Sequence, residues 1–260
     1  MRIRIIFSLK NKGAIAPFHH QNMLADFIKQ QMANNAQDLY PFYNFSGLKG
    51  QTKISRLGLH FYSSRITLVV SSLSKTWVDS FLKTIFEQKE LLIGDLQLIP
   101  EYAEEEHTPI LENPTKYVCI SPIVITKGQP NMNHAKKFVD PEDDTFSDFL
   151  YDAILQQMEN TGLYTADELS GIYKFQIVPD KIYLQKIKAQ DKKFARIYAT
   201  EQEMERVEFR GYTFPFTLYA NEIIHNFLFK SGLGYHTTDG FGMIDTVQTQ
   251  QVKQTSIYTV

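Results

Sequence analysis

Two adjacent histidines, His19 and His20, follow Pro17 and Phe18 and open an apolar stripe of helical period. Imidazole titrates nearest neutrality of all side chains, so such a pair is a natural proton carrier. The positive end of a helix favours the neutral ring, which can accept a proton. The pair could equally cap the helix or stand in solvent; of the two, His20 is preferred as the proton carrier. Lys49 and Lys53 follow the strand-like segment Tyr43–Ser46. An ammonium there could neutralise negative charge that builds up in a transition state, or simply be solvated. Tyr40 and Tyr43 could support such chemistry by hydrogen bonding or could pack. His60 reads as a strand residue satisfied at a sheet face. Cys119 is the only cysteine. No Cys, His and carboxylate grouping has the spacing of a metal site, so neither metal nor cofactor is expected and protons must move between side chains.

Two further stretches could meet phosphate. The segment Ser231–Met243 carries four of the 13 glycines, at 232, 234, 240 and 242, around the pentapeptide Tyr235–Asp239. Glycine tolerates positive φ and lets backbone N–H groups approach an anion closely. A tight helix-to-strand connection would use the same residues, and His236 inside the loop could touch a ligand or solvent. Residues 181–196 carry Lys181, Lys186, Lys188, Lys192, Lys193 and Arg196 against Asp191, with Tyr183 and Phe194 interleaved. A basic hairpin of this kind suits a surface that tracks phosphates, or is a solvated face. Paired aromatics of a base-stacking sheet signature are not evident.

The elements that must position these residues follow from periodicity. Residues 2–9 read as a strand, 20–33 as a helix, 39–46 and 54–62 as short strands, and 65–72 as a firmer strand. A second amphipathic helix runs over 75–88 through Trp77, Phe81, Leu82, Ile85 and Phe86, and 91–99 closes the set. Strand, helix, strands, helix, strand is the ferredoxin-like order. The acidic, proline-bearing segment 101–116 reads as a linker or edge loop. The order then recurs: a strand at 116–125, a helix at 145–159, strand-rich stretches at 171–186 and 194–214, a helix at 219–230 and a strand at 240–247. An α+β fold of two tandem ferredoxin-like (RRM-like) domains is expected, 1–112 and 113–260, with the glycine-rich loop 232–242 in the second.

The chain is long enough for two small domains, and a hydrophobic share of 43% argues against disorder. The net charge of -2 means that any nucleic-acid surface is local. A single cysteine and the absence of a signal-peptide pattern or an apolar run of spanning length suit a cytoplasmic protein without a membrane partner.

The spacing Gly232-Leu233-Gly234, YHTTD, Gly240-Phe241-Gly242 resembles the C-terminal glycine-rich signature of the CRISPR repeat-processing endoribonucleases, the Cas-six family of the RAMP superfamily. The approach to it (209–234), Ser121-Pro122, the stretch Phe138–Phe149, Gly13-Ala14-Ile15 with Pro17, and Tyr43–Leu48 are similar to the family as well. The resemblance implies binding of CRISPR repeat RNA, as precursor and as mature guide. It also implies one cut per repeat by 2′-hydroxyl attack, leaving 2′,3′-cyclic phosphate and 5′-hydroxyl ends. Side chains would do this by acid–base catalysis without a metal. Effector-complex proteins and a second copy of the chain are further partners it leaves open. The family often carries its histidine just after the first helix, where this chain has Asn34–Asp38 (NNAQD). Other members place one at or before the start of that helix, where His19 and His20 stand. A non-catalytic repeat-binding relative or effector subunit is the alternative. On the catalytic reading, the site comprises His20, His19, Tyr43, Lys49 and Lys53. The RNA surface comprises Gly232, Gly234, His236, Gly240, Gly242, Lys186, Lys188, Lys192, Lys193 and Arg196.

Overall fold

A computed structural model describes residues 1–33, 42–127, 137–191, 195–202, 205–247 and 255–258. Contacts divide the chain into two compact units: Met1–Thr108 with Thr238–Gly240 and Val252–Val260, and Pro109–Thr237 with Phe241–Gln251. In chain order the first stretch holds β1 (Arg2–Leu9), β2 (Ile15–Ala16), α1 (Gln21–Met32), β3 (Tyr43–Phe45), β4 (Thr52–Ile54), β5 (Leu59–Phe61), β6 (Arg65–Ser72), α2 (Lys75–Phe86), β7 (Leu91–Ile93) and β8 (Leu96–Glu106). The second holds β9 (Thr115–Cys119), β10 (Thr126–Lys127), β11 (Lys137–Phe138), α3 (Phe146–Thr161), α4 (Ala166–Ser170), β12 (Gln176–Pro179), α5 (Lys181–Ala189), β13 (Ala195–Gln202), β14 (Glu205–Tyr212), β15 (Phe216–Tyr219), α6 (Glu222–Ser231) and β16 (Ile244–Thr246). A last strand, β17, covers Thr255–Tyr258.

In the first unit the antiparallel sheet runs β17-β8-β1-β6-β3, with β7 folded back on β8. Without β17 and β7, this is the fourth, first, third and second strand of a ferredoxin-like fold. Ile3, Ile5, Phe7 and Leu9 of central β1 are buried in one core with Leu24, Phe27 and Ile28 of α1 and Trp77, Phe81 and Ile85 of α2. The helix positions recur at three- and four-residue spacing, which puts them on one helix stripe. Ser74 caps α2 by accepting the Trp77 N–H at 3.1 Å. The acidic run expected as a linker instead lengthens β8 to Glu106. Cross-strand pairing with β1 explains this: the Arg2 Nε lies 2.9 Å from Glu106, and Arg4 pairs with Glu104 and Glu106. Three more strands, β2-β5-β4, form a small separate sheet.

The second unit repeats the scheme, with sheet order β12-β15-β9-β16 and α3 and α6 as its crossover helices. Tandem ferredoxin-like folding is therefore as expected. Its local reading needs two corrections. Residues 181–189, expected as strand and then as part of a basic hairpin, form helix α5. Asp180 caps it by accepting the Tyr183 N–H at 2.9 Å, and Leu184 is its buried anchor. The hairpin begins only at Ala195, where β13 pairs with β14. Helix α4, which was not anticipated, starts on a capping box between Thr165 and Glu168.

Candidate functional site

Helix α1 starts at Gln21, and the two histidines before it have different surroundings. His20 is 5% exposed. Its Nδ1 lies 3.1 Å from the Pro17 carbonyl, to which it donates, and its Nε2 accepts the Leu48 N–H at 3.1 Å. The ring does not cap the helix. Burial pushes its pKa below the ordinary value, against the Pro17 hydrogen bond and with a smaller push from His19. His20 is thus neutral, as its position suggested, but desolvation rather than the helix dipole is the main cause. With both nitrogens bonded inside the protein, it staples the Pro17–His20 turn to the chain just before Lys49. His19, in the same turn, is exposed.

Lys49 is exposed, and its backbone exchanges two hydrogen bonds with Thr67, each 2.9 Å. Lys53 lies on β4 in register with His60 on β5, which in turn pairs with Ile15 on β2. Its Nζ sits 4.9 Å from the centre of the Tyr62 ring. His60 is satisfied at this sheet face, as expected, by the Gly13 carbonyl at 3.2 Å and Ser55 Oγ at 2.8 Å. Tyr43 takes its packing role: it is buried, stacks on Trp77 at 4.6 Å, and burial, aided by Asp239, pushes its phenol far up. Tyr40 and Asn34–Asp38 lie outside the described residues. Tyr62 and Arg56, which the sequence reading did not single out, lie beside Lys53 in the ring contact and on the following turn. No acidic residue occurs between Asp38 and Asp79, while Lys49, Lys53, Arg56, Arg65 and Lys75 do.

The glycine-rich segment leaves α6 and folds back on itself. Gly242 has φ +76, and a Cβ there would lie 2.0 Å from the Leu233 carbonyl oxygen. The Leu233 N–H donates to Gly242 O at 2.8 Å and the Gly242 N–H donates to Pro122 O at 2.7 Å. Met243 N–H donates to Ser121 Oγ at 2.8 Å, and Tyr235 N–H to Val124 O at 2.9 Å. Ser121-Pro122 and the glycine segment, far apart in sequence, are thus stitched together. Gly232, Gly234, Gly240 and Gly242 are all buried, and the Gly232 N–H is taken by Leu228 O at 2.9 Å. Donors expected to cradle phosphate are, at Gly232 and Gly242, consumed by the fold, and at Gly242 the missing side chain allows close backbone packing. The half-exposed part is Tyr235–Asp239, where His236 holds φ 62 and Asp239 sits 3.3 Å from Lys29.

Of the basic stretch, Lys181, Lys186 and Lys188 are exposed on α5. Lys188 pairs with Glu142, whose hydrogen bond raises its pKa. Positions 186 and 188 do not share a helix face. Arg196 lies on β13 opposite Gly211. Lys192 and Lys193 lie outside the described residues.

Among the described residues no three His, Cys, Asp or Glu side chains gather where a metal ion could be held. None of their helices is long and apolar enough to cross a membrane.

Comparison with known proteins places this arrangement. No curated protein matches the sequence. Three solved structures are similar over nearly the whole chain. A Cas6-related protein from Pyrococcus furiosus has a TM-score of 0.79 at 21% identity, covering 96% of this chain and 99% of that one. A structure described as a RAMP protein binding different RNA substrates has 0.77 at 20%, covering 95% and 100%. One described as CRISPR associated protein Cas6 has 0.74 at 18%, covering 95% and 99%. At these identities the likeness shows the fold. The family profile described as CRISPR associated protein Cas6, C-terminal, matches residues 104–246, more than half of the chain and including the stitched glycine segment. The chain belongs to the CRISPR-associated Cas6 family.

Proposed function

We propose that this protein binds CRISPR repeat RNA and cuts it once per repeat by acid–base catalysis. The 2′-hydroxyl attacks the adjacent phosphorus, the bond to the 5′-oxygen breaks, and the products are a 2′,3′-cyclic phosphate and a 5′-hydroxyl. His19 is the proton carrier, Lys49 faces the charge of the transition state, and His20 positions both. The observation that carries this reading is the His20–Leu48 hydrogen bond of 3.1 Å, which ties the exposed His19 turn to the residue preceding Lys49. Lys53 is the other candidate for charge stabilisation, and the loop Tyr235–Asp239, Lys186 and Arg196 are candidates for holding RNA away from the cut. Precursor and mature guide RNA are the partners, with effector-complex proteins as later ones.

His19→Ala and Lys49→Ala each slow single-turnover cleavage of a cognate repeat by about 10²–10⁴-fold, with RNA affinity nearly unchanged. Cleavage survives a chelator and stops when the nucleotide 5′ of the cut is 2′-deoxy. His20→Ala lowers rate and melting temperature together and leaves the pH profile in place, because the ring braces rather than transfers. A His19→Ala enzyme at the wild-type rate removes the assignment. The binding-only reading is favoured by one observation: Asn34–Asp38, where the family resemblance leads one to expect a histidine, has none. A wild type that binds repeat RNA and cuts none of it establishes that reading.

A further inference from the structure

The small sheet β2-β5-β4 has two faces of different character. Ala16, Leu59 and Phe61 point into the core of the first unit. Alternation along the strands puts His60, Tyr62 and Lys53 on the opposite side. His60 is pinned by Gly13 and Ser55, and its ring lies near-parallel to Tyr62, at 6.4 Å and 17°. Tyr62 is 43% exposed, and Lys53 is its neighbouring cation. The β4–β5 turn carries the exposed Arg56 and, next to it, Leu57, which the fold leaves outside at 77% exposure. An exposed aromatic ring and two exposed cations on one small sheet and its turn suit a ligand that has both flat faces and negative charge.

The charge pattern selects that ligand. Arg65 and Lys75 are paired with Glu101 and Asp79, and Lys10 with Glu90. Lys53 and Arg56 are both exposed, and Lys53 is turned to the Tyr62 ring. An anion with flat apolar faces matches the cations and the aromatic pair together. An unpaired RNA strand has those faces and a phosphate at every step, whereas a duplex hides its base faces.

We propose, resting on the RNA-binding reading above, that the outer face of β2-β5-β4 and the β4–β5 turn form a binding site for unpaired nucleotides of the repeat. One base stacks on Tyr62, Lys53 swings from the ring to a phosphate, Arg56 holds a second phosphate, and Leu57 covers a sugar edge. None of Tyr62, Arg56 and Leu57 belongs to the proposed cleavage machinery, and Lys53 in this role leaves charge stabilisation at the cut to Lys49.

Binding is measured by fluorescence anisotropy with an unstructured repeat-length RNA and with the same sequence in a full duplex, across a salt series. Tyr62→Ala weakens single-strand binding by about 5- to 150-fold, as expected for loss of one stacked base. Its salt slope is unchanged, and duplex binding is little affected. Tyr62→Phe, which keeps the ring, binds as the wild type does. Arg56→Ala, on an exposed turn where folding is not at stake, lowers the log–log salt slope by about 0.7. If the wild type binds RNA and these variants bind equally well, the site is not here. Equal losses on duplex and single strand overturn the preference for unpaired bases. Competition by poly-glutamate as strong as by RNA assigns the face to an acidic protein partner instead. A wild type that binds no RNA removes the broader reading as well.

Discussion

Replacing Gly242 by alanine tests whether the glycine segment exists for close packing. Its φ of +76 lies in the left-handed region, where a β-carbon costs about 1–2 kcal/mol. The new Cβ would also lie 2.0 Å from Leu233 O, a backbone atom that cannot rotate away. Relief requires separating the two chain segments, which endangers the bonds Leu233 N–H to Gly242 O and Gly242 N–H to Pro122 O. Each is worth about 0.5–1.5 kcal/mol, so Gly242→Ala costs about 2–5 kcal/mol in all. The control is Gly162, the C-cap of α3: its φ is +65 but a Cβ there meets nothing within 4 Å. Gly162→Ala therefore costs only the conformational part, about 1–2 kcal/mol. Equilibrium urea unfolding of the two variants against wild type reads the difference. If Gly242→Ala and Gly162→Ala agree to within about 0.5 kcal/mol, backbone contact at Gly242 is not what holds the loop.

Two other outcomes follow from buried charge and burial. The side chains of Arg2 and Glu106 are 2% and 3% exposed, and Arg4 shares the same carboxylate, so Glu106→Ala breaks a buried ion pair and lowers stability by about 3–5 kcal/mol; a loss below about 1 kcal/mol in urea unfolding would mean that the other surroundings of Arg2 compensate its charge. His225 is fully buried beside the Tyr117 hydroxyl, 2.8 Å away, and burial pushes its pKa below the ordinary imidazole value against a smaller opposing pull from the Ala220 backbone. Because the unfolded chain takes up the proton more readily, stability is full above the unfolded imidazole pKa of about 6.5. It falls as pH drops below that value toward the lower folded one. Urea midpoints from pH 8 to pH 5 show this, and a His225→Phe variant with the same slope as wild type would place the pH dependence elsewhere.

Periodicity alone was enough for α1, α2, β6 and the ferredoxin-like order, because a buried stripe must repeat every three to four residues in a helix and every two in a strand. It also exposed the spacing of Gly232, Gly234, Gly240 and Gly242, on which the family resemblance rests. Where local signals competed, the reading failed. Lysines dominate 181–189 and suggested a hairpin, but the Asp180 cap and the three-residue step from Leu184 to Ile187 form a helix. The acids of 101–106 suggested a loop, but Arg2 and Arg4 on the neighbouring strand neutralise them.

Local sequence also cannot say which of two adjacent side chains faces the interior. Sequence determined that a histidine pair stands at the start of α1. Only the tertiary structure decided that His20 is spent on Leu48, 28 positions away, while His19 remains exposed. In the same way, glycine spacing announced a tight loop, but its hydrogen-bond partner is Ser121-Pro122, more than a hundred residues earlier. Burial and hydrogen-bond saturation are set by what the folded chain brings alongside a residue. They are properties of contacts distant in sequence, and residue type and spacing carry no record of them.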